Sequence, residues 1–583
     1  MHLSNLRLWN FRTFGSNEAM ARDTMPHLDL AFNPDLNVLI GENDSGKTAI
    51  IDAIRLVLKT HSYDWARIDE DDFHQGQNRL RVELVLSGFV LEEGKNFTEF
   101  MSWKPVGDTV EPFLRLILDV KKNPINGQIL PYEVRAGADA DGKPLSPEAR
   151  EYLKVTYLKP LRDAKEELVA RRNSRLSQIL VGHEAFKNKG ADHVLMGLLS
   201  QFNGSIEGYF DGKDHAGEDI PDQLGKALKD EIDTYIGALY APGKKTGLAV
   251  TERGQLKSLL EKLELSIYGE IRPGLGTLNR LFMASELLHL NKSNWTGVRL
   301  GLIEELEAHL HPQAQMQAIE MLQKQTDVQL VLTTHSPNIG SKLELKNLII
   351  CGADTAFPMG PEHTELEEDD YVFLQRFLDV TKANLFFSKG VILVEGWSEE
   401  LLMSELAMLM GYDLTTRGVA VVNVNSLAFI RYANIFKRKE EPYFSKPVAI
   451  ITDVDIAPDE EDGPEPGDKL VLSNALADKA EKYDGQCVKS FIAPQWTLEY
   501  CLSQSIAFKD KFAEIAKAVH SKTDWANFDA TLADKLKRRA LAKTEIAARL
   551  AQAIARGEID KSKVADDVHI DYLIKAIKYA CGH

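Results

Sequence analysis

Short runs with the apolar spacing of β-strands open the chain, at residues 3–14, 27–32 and 35–40. The third run stops at Gly41. Beyond the loop GENDSGKT the period changes, and Ile50, Ile51, Ile54, Val57 and Leu58 recur at three- and four-residue steps, which predicts a helix. From about 155 to 265 the chain is rich in Lys, Glu, Arg, Leu and Gln at helical period with long charged faces, so a helical insertion is expected at about 160–260. Buried strands return at 298–303 and 328–333, each ending in polar residues. A second α/β pattern starts near Phe386, with strands at 390–394, 419–424 and 447–452. Residues 457–468, crowded with acids, prolines and glycines, predict an exposed loop, and after Glu499 the pattern is helical to the end.

At 583 residues the chain exceeds one hydrophobic core, and two to four domains are expected. A net charge of −18 argues against coating nucleic acid through bulk electrostatics, which leaves local patches. The clearest is Lys535, Lys537, Arg538, Arg539, Lys543 and Arg549, within one stretch of helical composition. Cys351, Cys487, Cys501 and Cys581 lack CxxC or Cys/His spacing, so neither a disulfide scaffold nor a zinc site is indicated, and a cytoplasmic setting fits. The opening residues lack the charge and apolar pattern of a secretion signal, and no 18 apolar residues run together; no membrane role is expected.

Gly41, Gly46, Lys47 and Thr48 match GxxxxGK[ST] between a strand and a helix, with Glu42, Asn43, Asp44 and Ser45 completing the loop. Glycines there let backbone N–H groups face the phosphates of ATP at a helix N-terminus, Lys47 adds a point charge, and Thr48 offers a hydroxyl to Mg²⁺. The strand at 298–303 ends in Glu304 and Glu305: the first is suited to the magnesium shell, the second to orienting and deprotonating the attacking water. His335 ends the next strand, placed to sense the γ-phosphate. His309 and His311 lack the helical spacing of a zinc pair and read as loop residues.

Four further carboxylates stand at strand ends in the second pattern. Glu395 closes one strand and Glu399 follows by four; Asp453 and Asp455 close another, their alternate spacing directing both side chains to one side of an extended backbone. Acids gathered on the C-terminal edge of a parallel sheet repel one another unless a hard cation neutralises them, so Mg²⁺ or Mn²⁺ is expected at Glu395, Glu399, Asp453 and Asp455, as well as at Thr48 and Glu304. Such ions support phosphodiester hydrolysis.

These residues resemble two known groups. The glycine loop, the Glu304–Glu305 pair and His335 resemble the ABC-type ATPases of the SMC and RecF group, as does the opening Asn10-Phe11-Arg12; the nearest counterpart of their cross-subunit signature loop is 273–288, which keeps Gly274 and Gly276. EGWSE and TDVD are similar to the Toprim domain, and the order of the two resembles the OLD (overcoming lysogenization defect) nucleases along essentially the whole chain. The resemblance implies an ABC-type ATPase head at 1–380 whose helical insertion dimerises, a Toprim domain with a Rossmann-like parallel sheet at 381–505, and C-terminal helices at 506–583. It implies a homodimer or higher oligomer, adds Glu499 of WTLEY to the nuclease site, and makes Lys543 the candidate for steadying the scissile phosphate. The implied function is an ATP-hydrolysing, divalent-metal-dependent DNA endonuclease, plausibly in anti-phage defence with a helicase-like or retron-type partner. The alternative is a RecF- or SMC-like repair ATPase whose Toprim domain is a scaffold.

Overall fold

The computed structural model describes residues 1–583 except 19, 22–23, 61–66, 108, 140, 160–167, 169, 171–173, 188, 191, 240–244, 251–254, 270–273, 291–296, 326, 426–427 and 459–469. Most of the predicted acidic loop at 457–468 therefore lies outside the described residues. Two compact units divide the chain: Met1–Tyr157 with Gly297–His583, and Leu158–Thr296.

The first unit contains three sheets. In the first, β1 (His2–Trp9), β2 (Leu28–Ala31), β4 (Arg79–Ser87), β6 (Thr109–Lys121), β7 (Val134–Ala136) and β8 (Lys143–Pro144) run in the order β2-β1-β4-β6-β7-β8, with β5 (Met101–Val106) on β6. Its strand pairings are antiparallel. This sheet between 79 and 144 was not anticipated from the hydrophobic pattern. The opening run also ends sooner than expected: β1 stops at Trp9 because Asn10 and Arg12 turn into left-handed backbone, both at φ 50°.

The second sheet has the order β13-β12-β3-β11-β10-β9, from β3 (Leu36–Ile40), β9 (Thr156–Leu158), β10 (Leu300–Ile303), β11 (Gln329–Thr334), β12 (Leu348–Cys351) and β13 (Ala356–Pro358). β3, β10, β11 and β12 are parallel, and all five residues of β3 are buried, as a central strand covered on both faces requires. Helix α1 (Lys47–Leu58) packs on β4 and β6 of one sheet and β11 of the other, burying Ile50, Ile51, Ile54, Val57 and Leu58. The predicted helical stripe is thus the join between two sheets.

The third sheet is parallel, order β15-β14-β16-β17, from β14 (Gly390–Val394), β15 (Val419–Asn423), β16 (Val448–Thr452) and β17 (Val488–Ile492). Its core continues into the C-terminal helices through Phe512, Leu550, Leu573 and Ile577. The basic stretch expected on one helical run is divided between two helices, Phe528–Lys537 and Lys543–Ala555; Arg538 pairs with Asp534 and Arg549 with Glu545, which reduces the patch's net charge.

The second unit is helical where described, including α2 (Arg175–Gly182), α3 (Val194–Asp211), α4 (Leu224–Leu239) and α5 (Leu275–Leu290). It runs wider than the insertion read from composition, to Thr296. Inside it Arg175 grips Glu286 with two nearly parallel bonds, 2.6 and 2.7 Å long, and both side chains are buried. Removing one member leaves a buried charge, so Arg175→Ala is expected to destabilise this unit by about 3–5 kcal/mol. Denaturant melts read from a reporter in the unit check this, and Arg175→Ala with Glu286→Ala should recover part of the loss.

Candidate functional site

Two polar centres lie on C-terminal edges of parallel strands, where open α/β sheets bind ligands. At the first, the loop after β3 needs its glycines. Gly41 has φ +145°, and a Cβ there would stand 2.5 Å from the Cys351 carbonyl oxygen. Gly46 has φ +82°, and its Cβ would strike the Phe14 ring at 2.6 Å. Asp44 is left-handed as well, at φ 61°.

Lys47 curls over this loop, donating to the Gly41 carbonyl at 3.1 Å, the Ser45 hydroxyl at 3.1 Å and the Glu42 carbonyl. Burial lowers its pKa. Thr48 donates to Glu304 Oε2 at 3.1 Å, and Tyr157 donates to Glu304 Oε1 at 2.7 Å. Burial holds the Glu304 carboxyl above its ordinary range, against the two hydroxyl bonds. Glu305 is exposed at φ 44°, its N–H donating to Thr333 Oγ1 at 2.9 Å. His335 lies beside Lys47 and the Gly41 carbonyl, its pKa lowered by burial and then by Lys47. The structure therefore brings Lys47, Thr48, Glu304 and His335 to one edge, and Glu305, exposed, lies near enough to Lys47 and His335 to oppose the lowering of both pKa values.

Two supporting residues escaped the sequence reading. Glu307 accepts from Thr334 Oγ1 at 2.7 Å and from His335 N–H at 2.6 Å, fixing the His335 turn. Tyr157 lies 147 positions from Glu304, a distance across which no local pattern signals a partner. In an ATP-hydrolysing head, Tyr157→Phe would slow turnover about tenfold by releasing a carboxylate oxygen; steady-state phosphate release measures it. Arg12 of the N-F-R opening pairs with Asp52 of α1 and with Asp72, both at 2.9 Å. The signature counterpart at 273–288 takes up most of α5 in the helical unit, with Gly274 just before it; Pro273 and the side chains of 287 and 288 lie outside the described residues.

The second centre stands on adjacent strands β14 and β16. Glu395 follows β14 and accepts from Thr452 Oγ1 and, at 3.3 Å, from the Asp453 N–H. Glu399 sits in the first turn of α7 (Trp397–Met410), α6 being Pro312–Gln323 between β10 and β11. Glu499 is buried in α8 (Leu498–Gln504), which Thr497 caps after β17. Asp453 Oδ1 accepts from the Leu498 N–H at 2.8 Å. Lys543, first residue of α10 (Lys543–Ala555, α9 being Phe528–Lys537), forms an ion pair with Glu499, its Nζ 2.8 Å from Oε2.

The acids feel one another. Burial and then Glu499 push the Glu399 carboxyl up to about 7. Burial followed by Glu499, Glu395 and Glu399 raises Asp453 well above its ordinary range, while Lys543 opposes the shift. Glu395, Glu399, Asp453, Glu499 and Lys543 therefore share one centre, including the two residues that only resemblance had indicated.

The extended geometry expected from Asp453 to Asp455 is the correction. The backbone has left β16 and turned left-handed, with φ 65° at Asp455, so the expected extended geometry fails: Asp453 is buried and Asp455 is not. The Asp455 side chain is 55% exposed and bonds Lys479 Nζ at 2.7 Å; it remains near enough to Glu395 to raise that carboxyl's pKa, behind burial as the main cause. Lys479 also donates to the Asp453 carbonyl and was not foreseen. Among the described residues no three His, Cys, Asp or Glu side chains already surround a single metal position. The donor chemistry still fits a hard cation: buried carboxylates held together against their repulsion are what a divalent ion would neutralise.

The glycine loop also meets the chain that leads into β14. Lys389, just before β14, lies 3.7 Å from Glu42 of the glycine loop. Lys446, before β16, donates to the Leu385 and Phe386 carbonyls at 3.1 and 3.3 Å, and burial lowers its pKa to about 8, with Glu42 opposing.

Family models match three segments: an AAA domain over 5–184, an AAA ATPase domain over 158–339, and the overcoming lysogenization defect protein-like TOPRIM domain over 386–455. The chain is 26% identical over 222 residues to Endonuclease GajA of Bacillus cereus strain HuB5-5, covering 32% of each protein. To Endonuclease GajA of strain VD045 it is 21% identical over 447 residues, 74% of this chain and 72% of that protein. The alignments thus span about a third of the first relative and under three quarters of the second. The crystallised C-terminal region of the Burkholderia pseudomallei OLD protein matches 34% of this chain and all of its own, at 21% identity and TM-score 0.23. Among the described residues no helix is long and apolar enough to cross a membrane.

Proposed function

From its place in the OLD family, as an ATPase head joined to a Toprim domain, we propose that this chain is a divalent-metal-dependent DNA endonuclease governed by ATP. The observation that carries the proposal is the buried gathering of Glu399, Asp453 and Glu499 beside Glu395 and Lys543. Holding so many acids in low dielectric costs stability, and such local conflict is characteristic of functional sites. The relatives named as endonucleases support the same reading.

In this reading Glu395, Glu399, Asp453 and Asp455 would hold Mg²⁺ or Mn²⁺, with Glu499 steadying Lys543. A bound cation supplies Lewis-acid polarisation of the scissile phosphate. Lys543 offers its ammonium to the same phosphate, being partly exposed beyond its bond to Glu499. Asp455 releases Lys479 when it turns inward. At the head, Lys47 leaves its loop carbonyls for the phosphates of ATP, Thr48 and Glu304 hold Mg²⁺, Glu305 orients and deprotonates water, and His335 faces the γ-phosphate. The helical unit is proposed to join two copies, and the nuclease to serve phage defence with a helicase-like or retron-type partner.

The experiment is plasmid cleavage in Mg²⁺ or Mn²⁺ with and without ATP. Metal-dependent nicking removed by chelation supports the proposal; ATP hydrolysis with no cleavage under any of these conditions overturns it. A second reading, a RecF-like ATPase with a non-cleaving Toprim scaffold, is favoured by the diversion of Asp455 to Lys479, and that outcome would establish it.

A further inference from the structure

Lys479 reaches the nuclease centre from outside the strands that build it. It lies on the helix Leu470–Tyr483, which packs on β17. Its ammonium pairs with Asp455 Oδ2 at 2.7 Å and also donates to the Asp453 carbonyl, so one side chain holds both ends of the D-x-D segment. The Asp455 backbone is fixed independently, its N–H donating to the Trp496 carbonyl at 3.0 Å and its φ being 65°. Only the Asp455 side chain is left to choose a partner. Among the described residues, Asp455 is the one of the four proposed metal ligands that pairs with a cation of the protein. An ammonium is a compact charge on a flexible stem, with donors and no acceptor, and beside carboxylates it neutralises charge as a metal ion would, with one unit in place of two.

We infer that Lys479 is a positioning residue of the nuclease centre, a tethered cation that holds the Asp455 carboxylate away from the shared metal position until a divalent ion displaces the ammonium, and so sets how much metal the centre requires. The strength of the pair suits that role. Its side chains are 22% and 55% exposed, and an ion pair so open to water biases a carboxylate by only about two- to fivefold. A divalent ion that also engages the buried Asp453 and Glu395 can break it, while the pair still opposes loading at low metal. The other acids lack this alternative: Glu395 is held by Thr452 and the Asp453 N–H, and Asp453 by the Leu498 N–H, all neutral donors that leave the charge uncompensated. The inference rests on the proposed metal-dependent reading of this centre.

The test titrates Mn²⁺ by calorimetry, without DNA, into full-length parent, Lys479→Met, Lys479→Arg, Asp455→Asn and the double variant Lys479→Met with Asp455→Asn. Lys479→Met keeps the apolar stem and removes the charge. It should bind Mn²⁺ about two- to fivefold more tightly, with half-maximal plasmid nicking at correspondingly lower Mn²⁺, whereas Lys479→Arg, which keeps a cation, should stay at the parent affinity. Once Asp455→Asn has removed the carboxylate, the ammonium has nothing to withhold, so the double variant should bind like Asp455→Asn alone. Unchanged or weaker affinity in Lys479→Met overturns the inference, and so does an equal gain in the double variant, because the ammonium would then act on the centre as a whole. If the parent binds Mn²⁺ and nicks DNA while Lys479→Met binds no more tightly, only the role of Lys479 falls. If the parent takes up no Mn²⁺, the metal-dependent reading falls with it.

Discussion

Asp453→Asn protein is expected to nick plasmid DNA at least about a thousandfold more slowly than the parent, an effect of about 4 kcal/mol on the transition state, while hydrolysing ATP at the parent rate. The substitution keeps the shape and the Oδ1 acceptor for the Leu498 N–H, and removes only the charge. It should also raise thermal stability when divalent ions are chelated, because one of several repelling buried acids is gone. The sign of the pH effect follows from the raised carboxyls. With Glu399 near 7 and Asp453 above its ordinary range, the folded parent binds more protons than the unfolded chain, so its stability falls as pH rises from about 4.5 toward 7. The stability gap between Asp453→Asn and parent should therefore widen from pH 5 to pH 7.5. Parent-like cleavage by this variant would leave the Toprim centre without a catalytic role.

Lys47→Met is expected to lower ATP turnover by about a thousandfold, since a cation preorganised at the phosphates contributes most when its site excludes water. The flexible apolar side chain replaces the Lys47 stem and leaves the Gly41 and Gly46 backbone, on which the loop shape depends, untouched. Folding should be retained, so nucleotide-dependent fluorescence and phosphate release separate lost binding from lost hydrolysis. Turnover within tenfold of the parent would refute the phosphate-binding assignment of the loop.

The two centres were not equally legible. The glycine loop is contiguous, and its backbone demands appear directly as residue types: glycines at 41 and 46, then Lys47 and Thr48 at the helix start. Glu395 and Asp453 were legible for a related reason, since each ends a wholly buried strand where an acid is costly. The local geometry of Glu305 and Asp455 was not legible. Both directions depend on left-handed backbone that strand spacing does not encode.

What the sequence determined by itself was the set of local devices: buried strands ending in charged residues, a phosphate loop whose glycines cannot be replaced, a helical stretch between them, and the order of the two α/β patterns. Local periodicity and steric limits on φ act over a few residues and leave their mark in composition. Only the tertiary structure decided which distant groups meet: Tyr157 at Glu304, Glu307 at the His335 turn, Lys479 at Asp455, and Lys543 at Glu499. Those meetings follow from sheet order and helix packing. In them a side chain's partner is set by burial and charge across tens to hundreds of residues, and no spacing along the chain records it.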